Sequence, residues 1–514
     1  MSKAIEQPTR PFIPYSLCIL LFVCVWLHVF IARNVMLDTI LLQILGSCMA
    51  AALGLWYVKY AHTSLMTVGV VLLSLVIILI RSSFIYVSQM TSVDLLESTA
   101  IHNFELVVSR DLVYKNHAWT GQANVMYQGR CIGSVGLRAK EPFLRETHLC
   151  CEGRFTQYKD KEFSEEQFKR GVLGSIQITK VNSKTYGEGI IGEVAQFREN
   201  CISQLQPEQS FGRALVACGL CAYRPSLYSF NIPRIFMRCG LMHLIAISSC
   251  HMVILSAFID AFLKKLTIKP ILRGVVNLFL LSSYALFCGL PASAMRAILL
   301  VEQKYVMHYV GRKNHTLSAV SIVALFMLCI DPQLSVNIAF TLSLACIFGM
   351  NIYGGLAQYY AKIAFHISGY GKIQKILRKP FSDVRNTMCA TTVAQLSCLP
   401  ISCMYFGHFS LLAPLSSALI TSLFSLLSLF GIGAIALCWF KPAQDVAFCL
   451  VDFLGQFIET LTSFLSERSF ASVSLTDVSW IVSLLVFAAM VALYVFWPKG
   501  KRVVLSGICL MVFM

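Results

Sequence analysis

Charged residues are scarce in this chain. Asp, Glu, Lys and Arg make up 13% of its 514 residues, whereas soluble domains carry about 25%. Hydrophobic residues account for 57% of the chain, and the mean hydropathy is +0.69. This composition excludes a soluble globular protein and indicates a polytopic membrane protein.

The chain also lacks the sequence patterns of metal-dependent and nucleotide-dependent enzymes. Its 20 cysteines show no CxxC-type zinc spacing with histidine partners, and most lie in apolar runs where cysteine acts as a small hydrophobe. The sequence has no His-x-His-x-Asp-His cluster of two-metal hydrolases and no nucleotide-binding P-loop. We therefore expect no metal site and no cofactor.

Acidic residues are the scarcer of the two charged classes. The 26 Asp and Glu residues stand against 42 Lys and Arg residues, which gives a formal net charge of +16. Cytoplasmic loops of membrane proteins are enriched in Lys and Arg, and a polyanionic cargo also favours basic surfaces. The charge alone leaves both explanations open.

The N-terminal region, residues 1–100, is predicted to hold three transmembrane helices at about 11–32, 36–57 and 65–80. Each stretch is near the length that the hydrocarbon core of a bilayer demands. Basic residues before the first span and after the second are expected on the cytoplasmic side. The segment after Arg81 is then expected to be extracytoplasmic.

Residues 101–196 are polar and punctuated by glycine. Five short runs of alternating polarity predict β-strands, and five strands suit a small barrel of the OB type. Such a barrel either binds single strands on exposed aromatic side chains or has a purely structural role. In an oxidising compartment, Cys131 is predicted to form a disulfide with Cys150 or Cys151.

Residues 197–235 form a half-polar linker. Its apolar run Phe211–Cys221 is too short to span, so an interfacial or re-entrant segment is predicted. Residues 236–514 hold the remaining spans and are predicted to form the channel domain. The predicted fold class is an all-α polytopic membrane protein of roughly 11–13 spans or part-spans, with an inserted extracytoplasmic all-β OB-like domain.

The most informative stretch is Arg238–Ala257, which is apolar enough to cross a bilayer yet carries His243, Ser248 and His251. Polar groups inside a span are costly and by default face a cavity, a partner or a pathway. Eight residues on a helix correspond to about 80° of rotation and about 12 Å of rise, so both histidines can line one stripe. Histidines satisfied by neighbouring helices remain the alternative.

Residues 240–251 read GLMHLIAISSCH and resemble the signature Gly-Leu-x-His-Leu-Leu-Ala-Ile-Ser-Gly-Leu-His of the ComEC competence family. Among the departures from the signature, a serine replaces its second glycine and a cysteine its last leucine. Three further blocks resemble elements of the same family: GLPASAMRA at 289–297, NIAFTLSL at 337–344 and FGHFSLLAPL at 406–415.

This resemblance implies a channel of the bacterial inner (plasma) membrane that passes single-stranded DNA into the cytoplasm during natural transformation, and that is not an enzyme. The implied partners are single-stranded DNA, the lipid bilayer, a cytoplasmic ATP-driven motor, and external DNA-receptor or nuclease proteins. Many family members continue into a metallo-β-lactamase-like nuclease domain, which the sequence up to Met514 lacks. We expect either a truncated chain or a separate nuclease.

The resemblance also implies a DNA path made of polar side chains in the spans. Arg296 either contacts phosphate or anchors the helix by snorkelling, and the polar groups at 337–343 either line a wet path or join helices by hydrogen bonds. The path residues are His243, Ser248, His251, Arg296, Asn337, Thr341 and Ser343, and the structural motif residues are Gly240, Pro291, Pro332, Gly407 and Pro414.

Two other classes of function stay open. An intramembrane enzyme would use His243, Ser248 and His251, but Ser248 lies about 60° from His251 around a helix, which disfavours direct contact. A small-molecule secondary transporter would typically contain an inverted repeat, and none is visible in the sequence.

Overall fold

The computed structural model describes residues 103–364, 385–402 and 408–474, apart from short gaps that include 246–248 and 312–315, together with part of a helix over 77–96. The first two predicted spans, the third up to residue 76, and a further apolar run at 478–497 that predicts a span lie outside the described residues. The number of spans therefore stays a prediction.

The first part of the described chain is a closed barrel of five strands. These are β1 (Asn103–Lys115), β2 (Ala118–Tyr127), β3 (Arg130–Ala139), β4 (Thr147–Thr156) and β5 (Val172–Tyr186). They pair in the order β1-β2-β3-β5-β4, with β3 and β5 parallel and the other pairs antiparallel. Alternate side chains point inward, as a pleated strand requires, and Leu106 and Val135 lie in the buried core. The five predicted strands are confirmed.

The register of the barrel disfavours the predicted disulfide. Cys131 on β3 is opposite Met126, Met126 is opposite Glu105, and Glu105 is opposite Cys150 on β4. Two strands therefore separate the cysteines on this side of the closed barrel. On the other side only β5 lies between β3 and β4, but Ser134 of β3 is opposite Val172 at the start of β5, whereas Cys150 is opposite Ser183 near its end. The two cysteines therefore lie at distant positions, which disulfide geometry does not allow. In the structure Cys131 and Cys150 are exposed free thiols, and Cys151 is a buried free thiol.

Four helices follow the barrel in the described chain: α1 (Ile190–Leu205), α2 (Phe211–Cys221), α3 (Pro225–Ser229) and α4 (Ile232–Cys239). The domain boundary predicted at residue 196 falls within α1. The α2 helix begins after Ser210, whose hydroxyl accepts a hydrogen bond from the backbone N–H of Arg213, a stabilising N-cap. Nine of its eleven residues are buried, so the described part of the protein encloses α2.

The remaining described elements form the helical part of the molecule. They are α5 (Met242–Ile245), α6 (Ser249–Lys265), α7 (Pro270–Cys288), α8 (Ala292–Tyr309), α9 (Thr316–Ile330), a 3-10 turn (Pro332–Val336), α10 (Ile338–Ala364), β6 (His408–Ser410), α11 (Ala413–Ala436), α12 (Lys441–Ser466) and β7 (Ser472–Ser474). Residues 385–399 are also helical. The strands β6 and β7 pair as a short antiparallel ribbon.

Among the described residues, α7, α11 and α12 are long and apolar enough to cross a membrane. The apolar runs at about 274–290, 418–440 and 445–466 of the sequence predict spans, and these three helices correspond to them, but each begins four or five residues earlier. A proline stands in the first turn of each helix, where its fixed φ favours helix initiation. Large apolar side chains such as Phe258 and Phe279 are exposed on the outer surface, which is typical of contact with lipid.

The buried helix α2 crosses α12 at unusually close range. A Cβ added to Gly212 would overlap the backbone of α12 at Val451, and one added to Gly455 would overlap the backbone of Gly212. Small residues permit such close approach of helices. Beside the crossing, Arg213 donates to both carboxylate oxygens of Asp452, at 3.0 and 2.8 Å.

Candidate functional site

Two of the motif blocks meet at the end of α4. Gly240 follows that helix with φ +71°, and a Cβ at this position would overlap the Cβ of Ala413 and lie 3.1 Å from the Cβ of Ser410. The hydroxyl of Ser410 donates to the carbonyl of Arg238 at 2.8 Å, and that of Ser416 donates to the carbonyl of Cys239 at 2.6 Å. We call this contact the motif junction: the end of α4 with Gly240, and residues 410–416.

The motif junction also explains a helix break that the sequence prediction missed. The continuous span predicted over Arg238–Ala257 is interrupted, because α4 ends at Cys239 and Gly240 adopts a left-handed conformation that glycine accepts without strain. Arg238 therefore belongs to the last turn of α4. The two serine hydroxyls bind carbonyls at the C-terminus of α4, which have no partner within the helix.

The polar residues after the motif junction are only partly described. His243 lies on α5 with an exposed side chain, and His251 lies on α6. Ser248 and the side chain of His251 lie outside the described residues. Since residues 246–248 separate α5 from α6, the single stripe containing both histidines stays a prediction.

Arg296 is fully buried on α8. Its neighbours Ala294, Ala297 and Ile298 belong to an apolar core formed with α6 and α7, and the thiol of Cys346 on α10 lies close enough to interact electrostatically. The side chain therefore does not snorkel to the surface of the described structure. It places a cationic group inside the bundle, where such groups are costly and mark candidate functional sites.

The polar residues at the start of α10 bond mainly to their own helix. The amide oxygen of Asn337 accepts from the backbone N–H of Ala339 at 3.0 Å, as an N-cap does. The hydroxyl of Thr341 donates to the carbonyls of Asn337 and Ile338 at 3.3 and 3.1 Å. Ser343 is half-buried. Local bonding thus accounts for two of the three predicted path residues here.

The motif prolines mark helix starts. Pro291 precedes α8 and its carbonyl accepts from the N–H groups of Ala294 and Met295, at 2.9 and 3.1 Å, while Pro332 and Pro414 lie in the first turns of the 3-10 turn and of α11. Gly407 lies outside the described residues. These positions agree with the preference of proline for helix N-termini.

A buried ion pair connects the barrel to the helices. Asp111 on β1 accepts from both terminal nitrogens of Arg198 on α1, at 3.0 Å from Nη1 and at close range from Nη2. Arg198 also donates from Nε to the carbonyl of Cys221 at 2.7 Å. Burial lowers the pKa of Arg198, but attraction and hydrogen bonds from Asp111 outweigh that effect and raise it overall. Asp111 additionally accepts from the backbone N–H of Arg145 at 2.9 Å.

Arg145 makes a second connection between the barrel and the helices, and we call the two connections together the joint. Its guanidinium donates to the carbonyls of Phe287 and Leu286 at the end of α7, at 2.8 and 3.4 Å. A cation at a helix C-terminus is favoured by the helix dipole. Gly289, with φ +88°, lies directly against the guanidinium, and a Cβ there would overlap it. Burial, followed by the nearby charge of Arg198, lowers the pKa of Arg145.

The sequence analysis did not identify this joint. Asp111 and Arg198 are 87 positions apart, and charged residues in polar segments usually lie on solvated faces. Arg198 interrupts the apolar side of α1, where Ala195, Cys201 and Ile202 are also buried. A basic residue on an otherwise apolar helix face is the one sequence feature that points to a buried ion pair.

Comparison with protein families supports the motif assignment. A family model described as "Competence protein" matches residues 226–500, which is just over half of the 514 residues. Comparisons with curated proteins and with solved structures found no match. The match begins on α3 and includes both parts of the motif junction and Arg296. The chain therefore belongs to the competence protein family, the membrane proteins of DNA uptake in transformation.

Proposed function

We propose that this protein is a channel that passes single-stranded DNA across the bacterial inner membrane into the cytoplasm during natural transformation. The observation that carries the proposal is the motif junction. Two family motif blocks about 170 residues apart in the chain meet there, because Gly240 lies against Ala413 and Ser410. The hydroxyls of Ser410 and Ser416 bind the carbonyls of the two residues just before Gly240. The motif junction lies at the start of the segment that carries the two histidines. This position agrees with the role of the family in DNA uptake.

The arrangement of the barrel supports an extracytoplasmic location for it. Its loops contact the end of α7 and the 3-10 turn after α9. The opposite end of α7 is preceded by Lys269, and Lys264 and Lys265 end the α6 helix just before it. Under the positive-inside rule those ends face the cytoplasm and the barrel faces outward. The strand order and the single parallel pair favour an OB-like barrel.

The proposed DNA path follows His243, Ser248, His251 and Arg296, with the polar start of α10 near its outer end. A polyanion needs a water-filled, hydrogen-bonding route through the bilayer. Arg296 supplies a fixed charge, and neutral histidines donate hydrogen bonds without a permanent charge. Weak and repeated donors allow an anion both to enter and to leave.

The channel carries out no chemistry of its own in this proposal. The pulling force comes from a cytoplasmic ATP-driven motor, and external receptor or nuclease proteins deliver the strand. Purified protein supplied with Mg²⁺, Mn²⁺ or Zn²⁺ is expected to leave labelled DNA intact. Cleavage that disappears in a His243→Ala variant would instead establish the intramembrane enzyme.

The decisive experiment measures uptake of labelled DNA in a deletion strain that expresses variants of this protein. We expect His251→Leu and Arg296→Ala each to reduce uptake while membrane levels of the protein stay normal. The matched control is His308→Leu, because His308 is exposed at the end of α8 and outside the proposed path. Uptake at the wild-type rate in His251→Leu would remove this histidine from the path. Full uptake in the deletion strain itself would refute the proposed function.

A further inference from the structure

A hydrogen-bonded network joins three helices at Asp260 of α6. Its Oδ1 atom accepts from Nη1 of Arg273 on α7 at 2.9 Å and from the hydroxyl of Tyr305 on α8 at 3.0 Å. Its Oδ2 atom lies 2.8 Å from the ammonium of Lys264, one turn further along α6. The amide of Asn277 on α7 donates to the hydroxyl oxygen of Tyr305 at 2.9 Å. One carboxylate therefore ties α6 to α7 and α8, and we call these residues the Asp260 network.

The hydroxyl of Tyr305 is fixed by its surroundings on α7. Asn277 is fully buried, and because its amide donates to the hydroxyl oxygen, the hydroxyl proton remains for Asp260. A Cβ added to Gly274 would lie 3.2 Å from Cγ of the Tyr305 ring, so the ring packs closely against α7. The hydroxyl is thereby positioned to hold the carboxylate.

Positive charges outnumber negative charges in the Asp260 network. Arg273 and Lys264 supply two cations, and Asp260 supplies the one carboxylate that contacts both. Within the described part of the chain, Nε of Arg273 is buried and has no hydrogen-bond partner, although buried donors are normally bonded. The network therefore carries a net positive charge and has an unused guanidinium donor.

A phosphodiester group would use the same donors as this carboxylate. Both groups present anionic oxygens that guanidinium and ammonium groups bind. A phosphate oxygen pair can also accept from two nitrogens of one guanidinium, whereas Asp260 accepts from Nη1 of Arg273 and leaves its Nε without a partner. Arg273 and Lys264 thus have the chemistry of a phosphate site that a carboxylate of the chain itself fills.

The Asp260 network lies on the same two helices as part of the proposed DNA path. His251 precedes Asp260 by nine residues on α6, and Arg296 precedes Tyr305 by nine residues on α8. These helices run in the same direction, because α7 connects them and returns beside both. Nine residues correspond to a rise of about 14 Å. Since the basic end of α6 is assigned to the cytoplasmic side, the network lies further toward the cytoplasm than His251 and Arg296.

We propose that Arg273 and Lys264 form an exit site for the phosphodiester backbone of the translocated strand, and that Asp260 fills this site until a phosphate displaces it. The inference rests on the proposed function, since it places the site at the cytoplasmic end of the proposed path. Displacement frees the carboxylate from Tyr305 and so opens the contact between α6 and α8. After the strand has passed, the carboxylate returns and closes that contact.

The test uses the full chain in phosphatidylcholine nanodiscs and a fluorescent oligothymidine, with binding measured by anisotropy. Asp260→Asn keeps an acceptor for the hydroxyl of Tyr305 but removes the competing charge. A site that its own carboxylate fills about nine-tenths of the time binds about tenfold more weakly than the emptied site, so the variant should bind about tenfold more tightly. The control is Asp445→Asn, which removes an exposed carboxylate near the start of α12 and should match the wild type.

Two further variants separate competition from a general effect of charge and from misfolding. Arg273→Gln added to Asp260→Asn should abolish the gain in affinity, because the phosphate then loses its guanidinium partner. A gain that persists would show that the strand binds elsewhere. Tyr305→Phe keeps the ring against Gly274 and the carboxylate on Arg273, but removes the hydroxyl that holds Asp260, so it should tighten binding by a smaller factor. Affinity that is unchanged or weaker in Tyr305→Phe would show that the network only ties the helices together.

The outcomes also distinguish this site from the channel proposal. If Asp260→Asn binds oligothymidine as the wild type does, the exit site is wrong, while the deletion-strain uptake assay still decides the channel. Lipid headgroups carry the same phosphodiester chemistry, so the measurement is repeated in nanodiscs that contain phosphatidylglycerol. If Asp260→Asn retains more phosphatidylglycerol than the wild type but shows no gain for oligothymidine in either nanodisc, the site holds a lipid headgroup, and the proposal is overturned.

Discussion

Replacing Asp111 by Asn should loosen the joint between the barrel and the helices. The side chains of Arg198 and Asp111 are only 2% and 7% exposed, so the variant leaves a buried guanidinium without its counter-charge. Removing one partner of a buried ion pair costs about 3–5 kcal/mol. Since Asn retains one oxygen that still accepts a hydrogen bond, we expect a cost near the lower limit, about 3 kcal/mol.

Hydrogen exchange detected by mass spectrometry measures this cost directly. A loss of about 3 kcal/mol corresponds to roughly a hundredfold increase in the open population, so amides of α1 around Arg198 should exchange that much faster. Amides in the core of the barrel, which does not depend on the pair, should keep their protection. The control is Glu105→Gln, because Glu105 is an exposed carboxylate on the same strand and should change stability by no more than about 0.5 kcal/mol.

A double variant tests whether the isolated charge of Arg198 causes the loss of stability. Asp111→Leu with Arg198→Met removes both charges and keeps similar volumes, and such replacements are often neutral. It should therefore exchange more slowly in α1 than Asp111→Asn. Wild-type exchange in Asp111→Asn would show that the ion pair does not hold the joint. Equal acceleration in the single and double variants would show that packing, and not the isolated charge, determines the loss.

Three further predictions concern close contacts and thiols. Gly240→Ala should lower the thermal midpoint and DNA uptake, because its Cβ would overlap Ala413. The control is Gly311→Ala, since Gly311 has φ +70° and no described atom within 4 Å of an added Cβ. Its stability should fall only by the roughly 1–2 kcal/mol that left-handed backbone costs. Gly455→Val should reduce the amount of folded protein, measured by size-exclusion chromatography, because its side chain would overlap the backbone of α2. In single-cysteine variants an impermeant maleimide at pH 8 should label Cys150 in intact cells but not Cys151. Burial raises the pKa of Cys151 to about 11, which leaves about one thiol in a thousand ionised. Labelling of Cys150 only after lysis would refute the extracytoplasmic barrel.

Local patterns predicted the elements of the fold well. Alternating polarity identified all five strands of the barrel, and the apolar run Phe211–Cys221 has the same bounds as α2. Alternating polarity and an apolar run can both be recognised in a short stretch of sequence, because the side-chain periods of strands and helices repeat within a few residues. The length of this run did not, however, reveal that α2 is enclosed by other helices. Its enclosure by α11 and α12 depends on glycines that permit close approach, and a glycine in a sequence does not reveal its neighbour.

The candidate site was predicted only where the family motif supplied information. The motif blocks named Gly240 and residues 406–415 but did not say that they touch. The contacts of Asp111 and Arg145 had no sequence signal, because pairs of opposite charges far apart in the chain are common by chance. Arg198 alone was marked, as a basic residue on an apolar helix face. Asn337 and Thr341 resembled path residues, although short polar side chains at helix starts usually bond to the backbone nearby.

The contact between Arg145 and the end of α7 has a consequence for how relatives of this protein diverge. Its acceptors are the main-chain oxygens of residues 286 and 287, which every amino acid carries. Those two positions are therefore free to vary without any matching change at Arg145, and correlated substitutions would not reveal the contact. Gly289 is the exception, since a side chain there would displace the guanidinium. In this part of the molecule we therefore expect relatives to show the contact as a single invariant glycine and not as a pair of co-varying residues.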